Sequence, residues 1–268
     1  MGTPRFSIVT PSYNHAQYLE QTIESVKAQG TEDVEHIVVD GDSTDGTTDL
    51  LRRHEDDYEL RWVSEPDRGQ THALNKGIRM AEGEYLGWQN ADDYYLPGAF
   101  DVVRSTLQRR PDVDMVYGDL HIVDADGSRS DTRHFTRPSR LVQRYLGNFM
   151  ANQSAFIKTE FFDDVGPFNE GFEYAMDVEL FWKLLNYGGE YVHVPEYLAA
   201  IRIHDDMKSV ANRERQSQEG QQLTCAMDRQ PYLERLLPER VLTQVARGVM
   251  VISLAKDGRI NEITDHFR

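Results

Sequence analysis

The sequence predicts an α/β protein whose core is a sheet of parallel strands. Three observations carry that prediction. Apolar strand-length runs alternate with helical stripes from Phe6 to Leu107. The run Ile37-Val38-Val39 is continuously apolar, as suits a parallel strand covered on both faces. Each strand also ends in polar residues, so parallel strands would gather those ends on one edge of the sheet.

Phe6-Ser7-Ile8-Val9-Thr10 reads as the first strand, stopped by Pro11 and the polar run Ser12-Tyr13-Asn14-His15. A helix follows, with Leu19, Ile23, Val26 and Lys27 at helical spacing. His36–Asp40 is the second strand, and Gly41–Thr47 is the turn into a helix over Thr48–His54. Leu60–Ser64 is the third strand, ending in Glu65-Pro66-Asp67-Arg68-Gly69, and Thr71–Met80 the helix after it. Glu84–Trp88 is the fourth strand. Leu96-Pro97-Gly98 then opens a helix with Phe100, Val103 and Leu107 on one stripe.

The chain is centred on Trp88-Gln89-Asn90-Ala91-Asp92-Asp93-Tyr94-Tyr95. Acids in the turn between a strand's C-terminal end and a helix lie where open α/β sheets bind ligands. Two carboxylates there suit a hard divalent cation, which in turn suits a diphosphate. Taken alone, Asp92 and Asp93 read as well as solvated turn residues or helix caps. The other polar strand ends (Thr10 with Asn14, Asp40 with Asp42, Asp67 with Arg68) make this a binding edge. Neither GxGxxG nor GxxxxGK[ST] is present, which excludes the dinucleotide fingerprint and the P-loop.

At 268 residues, the chain is long enough for one substantial core. A net charge of −16 argues against neutralising nucleic-acid backbones, so no nucleic-acid partner is expected. The single cysteine, Cys225, excludes an internal disulfide, fits a reducing compartment and reads as a small buried hydrophobe. No signal peptide is evident, and Val249–Ala255 is too short to span a bilayer. A cytoplasmic protein is expected, at most associated with the inner face of the membrane.

The motifs Ile8-Val9-Thr10-Pro11-Ser12-Tyr13-Asn14 and Ile37–Thr47 occur in order with Glu65–Gly69, Ala73-Leu74-Asn75-Lys76-Gly77 and Asn90-Ala91-Asp92-Asp93. Over residues 5–100 this pattern resembles family 2 glycosyltransferases of the GT-A fold, with sparser matches over 110–210. The resemblance implies a mixed, mainly parallel sheet flanked by helices over 1–210. That domain divides into a nucleotide-sugar half, 1–110, and an acceptor half, 111–210, followed by a helical extension, 211–268. It implies donor contacts from Thr10, Pro11, Tyr13, Asn14, Asp40, Asp42, Asp67, Arg68, Asn90, Ala91 and Lys208. Asp92 and His204 would be metal ligands for Mn²⁺ or Mg²⁺. The family's D-x-D pattern begins here with Asn90, an uncharged amide, leaving Asp92 as the main carboxylate ligand.

Asp114–Asp119 reads as another strand and Leu120–Gly127 as a hairpin. Residues 127–140 read either as a mobile loop near the acceptor or as an ordinary surface excursion. Asn152–Ile157 is a strand with a polar start, and Tyr191–Val194 and Ala199–Ile203 are two late strands. Asp177 suits a helix N-cap before 178–187. The resemblance makes it the general base, with a pKa raised beside Met176 and Trp182. Glu179 is the neighbouring candidate. Arg202–Ser209 resembles the family's loop over the diphosphate, where Lys208 and Ser209 would meet phosphate oxygens. The stripe Leu236, Leu237, Val241, Leu242, Val245, Val249 and Leu254 reads as a helix packed on the domain or on a second copy; peripheral membrane contact fits less well.

The resemblance thus implies an inverting transferase that moves a sugar from a nucleoside diphosphate sugar to a hydroxyl of a glycan or lipid-linked sugar. Two other readings remain at this stage. One is a sugar-nucleotide pyrophosphorylase, which normally needs a glycine-rich basic loop after the first strand. The other is a non-catalytic donor-binding protein, suggested by Asn90.

Overall fold

The computed structural model describes residues 5–205, 207–208, 212–228 and 237–256. Its first half alternates strand and helix as the apolar pattern requires: β1 (Phe6–Ser12), α1 (Ala16–Lys27), β2 (Val34–Asp40), α2 (Thr47–His54), β3 (Leu60–Ser64), α3 (Gln70–Met80), β4 (Tyr85–Trp88), β5 (Tyr94–Tyr95) and α4 (Ala99–Arg109). β1 pairs in parallel with β2 and β4, and β2 with β3. Pro11 does not stop β1, which continues to Ser12 opposite Asp40. Pairing with β4 ends at Val9, so a proline beyond it interrupts no second ladder.

Side-chain alternation sorts the helices onto the two faces. Val38 packs with Leu19, Ile23, Leu50 and Leu51 of α1 and α2, whereas Ile37 and Val39 meet Ala73 of α3. Phe100, Val103 and Leu107 of α4 lie with Phe6 and Ile8 on the α1 side. Lys27 does not join this apolar stripe; its ammonium pairs with Asp57 at 2.7 Å.

The second half comprises β6 (Met115–Val123), β7 (Arg129–Arg133), α5 (Arg140–Tyr145), a 3₁₀ turn (Asn152–Ser154), β8 (Ala155–Lys158), α6 (Glu160–Val165), α7 (Met176–Tyr187) and β9 (Tyr191–Arg202). The sheet order is β3-β2-β1-β4-β8-β6-β9-β5, with β7 paired to β6 alone. β8 runs antiparallel to both β4 and β6, and β9 runs parallel to β6. The sheet is therefore mixed.

Three expectations need correction here. The strand at 114–119 and the first arm of the hairpin are one nine-residue strand, β6. Part of 127–140, expected as loop, is β7, held antiparallel to β6. Asp119 anchors the segment that follows, accepting from Phe135 N at 2.9 Å and meeting His134 Nδ1 at 2.8 Å and His193 Nε2 at 2.9 Å. The two late strands are likewise one strand, β9, whose register against β6 shifts around Asp119.

α8 (Arg213–Met227) and α9 (Glu239–Lys256) follow. Met250 and Leu254 of α9 enter the same core cluster as Val142 of α5 and Leu180 of α7. The face α9 buries is Leu242, Ala246, Met250 and Leu254, while Leu237, Val241 and Val245 of the expected stripe are exposed. A helix buries positions at three- and four-residue steps, and here the series starts at Leu242. Leu236, Ser209 and the expected boundary at 210/211 lie outside the described residues. Cys225 is exposed rather than buried. Among the described residues no helix is long and apolar enough to cross a membrane.

Candidate active site

Because β1 to β4 are parallel, the segments following them leave the sheet along one edge. Asp40 closes β2 and is fully buried. It accepts from Ser43 N at 3.0 Å, Ser43 Oγ at 2.5 Å and Ser64 Oγ at 2.6 Å. Those bonds hold the turn that presents Asp42, exposed and left-handed at φ 68°. Asn14, also left-handed at φ 54°, accepts from Thr44 N at 2.9 Å, and its own N–H donates to Ser43 Oγ at 2.8 Å. The loops after β1 and β2 are thereby stitched together.

Gly41 is where three strand ends meet. A Cβ added there would lie 2.8 Å from Asp67 Oδ2 and 3.3 Å from Tyr13 Cδ2. Tyr13 is 60% exposed, so its ring stands at the edge as an open platform. Asp67 accepts from Gly69 N at 2.7 Å and is half-buried.

Not every expected residue arrives at this edge. Thr10 is fully buried, its hydroxyl 2.9 Å from His36 Nε2. His36 meets Tyr58 Oη at 2.6 Å, and burial pushes its pKa down to about 3. Thr10 therefore serves the sheet interior. Pro11 is buried within β1, and Ala91 packs in the cluster of α1 and α2. Arg68 is engaged by Glu170, with Nε at 3.0 Å from Oε2.

The turn after β4 separates two adjacent acids. Asp93 points inward, 2% exposed, and accepts from Asn90 Nδ2 at 2.9 Å, Gln153 Nε2 at 2.8 Å and Arg202 N at 2.9 Å. Burial, then the neighbouring charge of Asp92, pushes its pKa up to about 7. Asp92 points the other way, with Oδ2 3.0 Å from His204 Nε2. The Arg202 guanidinium, bonded to the Asp92 carbonyl at 3.1 Å and the Ala125 carbonyl at 2.8 Å, ties the end of β9 to this turn. His15 completes the group: ligand atoms of His15, Asp92 and His204 all lie within 4.8 Å of one another. His15 Nδ1 is buried and has no hydrogen-bond partner among the described residues.

Asn90 has a local explanation. Its Oδ1 accepts from Trp88 Nε1 at 2.9 Å and Gln70 Nε2 at 3.0 Å, while its Nδ2 donates to Asp93. A carboxylate there would face Asp93 with no proton to give. The amide suits a neighbour that already holds the inward acid.

Asp177 is not a cap. α7 starts at Met176 after Ala175, so Asp177 sits inside the first turn, its Oδ1 accepting from the adjacent Val178 N at 2.8 Å. Burial raises its pKa from 3.8 to about 6, partly offset by bonds from Val178 N and the Asn148 side chain. Glu179 is spent otherwise: it accepts from Asn169 N at 2.9 Å and pairs with Lys183 at 3.3 Å. The start of α7 is coupled to the edge through α3. Thr71 Oγ1 donates to the Phe172 carbonyl at 3.0 Å and approaches Met176 Sδ at 3.5 Å, and its neighbour Gln70 bonds Asn90. Lys208 lies with Nζ 5.0 Å from the centre of the Tyr174 ring, its pKa lowered by burial.

Sequence reasoning gave His15 and Gln70 no role at the site, placed Gln153 only in a polar strand start that could face it, and placed Arg202 only in the loop resembling the one over the diphosphate. His15 directly follows the first strand-end motif, which was a usable signal. The other three act across 20, 60 and 109 residues of chain, a separation that no local pattern encodes.

A mixed sheet whose parallel edge ends in these turns defines the class: the fold is that of the GT-A glycosyltransferases. Staphylococcus aureus TarS in complex with UDP superimposes with a TM-score of 0.66 at 17% identity, covering 83% of this chain and 65% of that one. The mannosyltransferase PcManGT from Pyrobaculum calidifontis, in complex with GDP-Man and Mn²⁺, gives 0.66 at 23% identity, covering 96% and 76%. The chain belongs to glycosyl transferase family 2, whose profile matches residues 7–184. An uncharacterized glycosyltransferase of Rickettsia felis is 28% identical over 77% of this chain and 35% of its own length. The chondroitin synthase of Pasteurella multocida is 26% identical over 80% and 22%. The chain thus spans only part of the curated relatives it matches.

Proposed function

We propose that the protein transfers a sugar from a nucleoside diphosphate sugar to an acceptor hydroxyl, with inversion at the anomeric carbon. The observation that carries this reading is Asp92 facing His204 and His15 at the sheet edge, with the raised-pKa carboxyl of Asp177 coupled to the same turn through α3.

In this reading Tyr13, Asp42 and Asp67 surround the nucleoside, with Asp40 and Asn14 holding their loops in place. Asn90, through the edge of its amide, borders the ribose, and Lys208 meets phosphate oxygen. The oxygen and imidazole donor set fits a divalent cation of the Mn²⁺ kind. Such an ion, when bound, offsets charge building on the departing diphosphate. Asp177 takes the proton of the acceptor hydroxyl. The freed oxygen bonds the anomeric carbon from the far side as the bond to the diphosphate breaks, and that electron pair leaves with the nucleotide. A half-buried carboxyl with a pKa of about 6 is ionised at neutral pH yet basic enough for this step.

The acceptor in this reading is a glycan or lipid-linked sugar met on the cytoplasmic side. The engagement of Asn90 removes the reason for a non-catalytic reading, and membership of family 2 leaves a pyrophosphorylase without support. The deciding experiment measures thermal shifts with UDP, GDP, dTDP and CDP, each with and without Mn²⁺, followed by hydrolysis or transfer of the matching nucleotide sugar. A metal-dependent shift with one base and release of its diphosphate is the expected result. No shift with any nucleotide overturns the reading.

A further inference from the structure

We infer that His15 is a third protein ligand for the divalent ion, making a two-histidine, one-carboxylate site that binds transition metal before any nucleotide arrives. The inference rests on the donor site proposed above and specifies its metal chemistry.

His15 occupies the N-cap position of α1, yet its side chain makes no capping bond. Its Nδ1 is buried and, among the described residues, unbonded, a costly state for an imidazole nitrogen unless something else completes it. The rings of His15 and His204 stand at 76° with centroids 6.4 Å apart, and Asp92 Oδ2 lies 3.0 Å from His204 Nε2. All three ligand atoms fall within 4.8 Å of one another. An ion bonded to imidazole at about 2.1 Å and carboxylate at about 2.1 Å reaches across such a triangle after small side-chain rotations.

The three residues come from different parts of the fold: the turn after β1, the turn after β4 and the second residue past β9. Packing holds His204 in place, since its ring lies 4.8 Å from that of Tyr18, tilted by 43°, and Tyr18 lies under the Arg202 guanidinium at 4.9 Å. The site is therefore largely built before ligand binds. Two imidazoles favour borderline ions such as Co²⁺ and Zn²⁺, and more weakly Mn²⁺, over Mg²⁺. Three protein ligands leave the remaining coordination positions to diphosphate oxygens and water.

Among the described residues the other candidate group, Glu24, His54 and Asp57, already holds a cation of the chain itself. Lys27 Nζ sits 2.7 Å from Asp57 and 3.6 Å from Glu24. It serves as the internal control.

The test is calorimetry of the nucleotide-free chain with Co²⁺, Mn²⁺ and Mg²⁺, with the visible spectrum of the Co²⁺ form. Expected are binding of Co²⁺ and Mn²⁺ that is tighter than that of Mg²⁺ and a protein-specific Co²⁺ spectrum. H15N keeps a good N-cap residue, and H15A removes the imidazole outright. Both should weaken nucleotide-free Co²⁺ binding roughly tenfold or more and change the spectrum. H54A should leave both unchanged. Wild-type Co²⁺ affinity and spectrum in H15A overturn the inference. So does a wild type that binds metal only together with nucleoside diphosphate, a result that leaves the donor reading intact. Failure to bind nucleotide with any metal overturns the donor reading instead.

Discussion

His204 Nε2 lies 3.0 Å from Asp92 Oδ2, although 112 residues separate them in the chain. The contact exists because β9 ends beside the turn after β4, where Arg202 N bonds Asp93 and the Arg202 guanidinium bonds the Asp92 carbonyl. One strand end thus delivers the imidazole to the acid.

Asp92→Ala and His204→Ala should each weaken metal-dependent binding of nucleoside diphosphate, by roughly tenfold or more. Calorimetry with and without EDTA checks this. Wild-type affinity in both variants, insensitive to EDTA, would remove the metal from the site.

Asp177→Asn should lower turnover by roughly 10²–10⁴-fold while leaving nucleotide affinity nearly intact. A parallel loss of both would make Asp177 structural.

With Asp177 as the proposed base and burial placing its pKa at about 6, kcat/KM should rise as pH rises through about 6 and level off above it. The stability effect runs the other way. A carboxyl raised from 3.8 to about 6 on folding favours the folded state when protonated, and that contribution fades as pH climbs between those values. Asp177→Asn should therefore have a higher Tm than wild type at pH 7, and calorimetric scans across pH 4 to 7 would show the difference shrinking toward acid.

Asp93→Ala should destabilise the fold by about 3 kcal/mol or more, because it strands donors from Asn90, Gln153 and Arg202 in a buried pocket. Urea unfolding measures it. A change under 1 kcal/mol would mean that water substitutes for the carboxylate with little penalty.

Gly41→Ala should spare the fold but displace Asp67, since the new Cβ would fall 2.8 Å from Oδ2. On the proposed reading Asp67 bonds the base, and loss of that one hydrogen bond would lower donor affinity roughly tenfold. Unchanged affinity with an unchanged melting temperature would take Asp67 out of the donor pocket.

Much of this was legible in the chain because its physical causes are local. Hydrophobic period alone located β1 to β4 and α1 to α4 to within a few residues, and the polar strand ends marked the edge. The family resemblance singled out Asp92, Asp177 and His204 as candidates. Tertiary structure decided the rest, because the causes act between distant segments. Whether an acid serves chemistry or architecture depended on which donors the fold brings to it. Asp40 is consumed by Ser43 and Ser64, and Asp93 by Asn90 of its own turn and by Gln153 and Arg202 from across the domain, while Asp92 is left to face two histidines. Adjacent carboxylates in one turn have the same local pattern, and only the packing of β9 and the Asn152–Ser154 turn against them makes their environments differ.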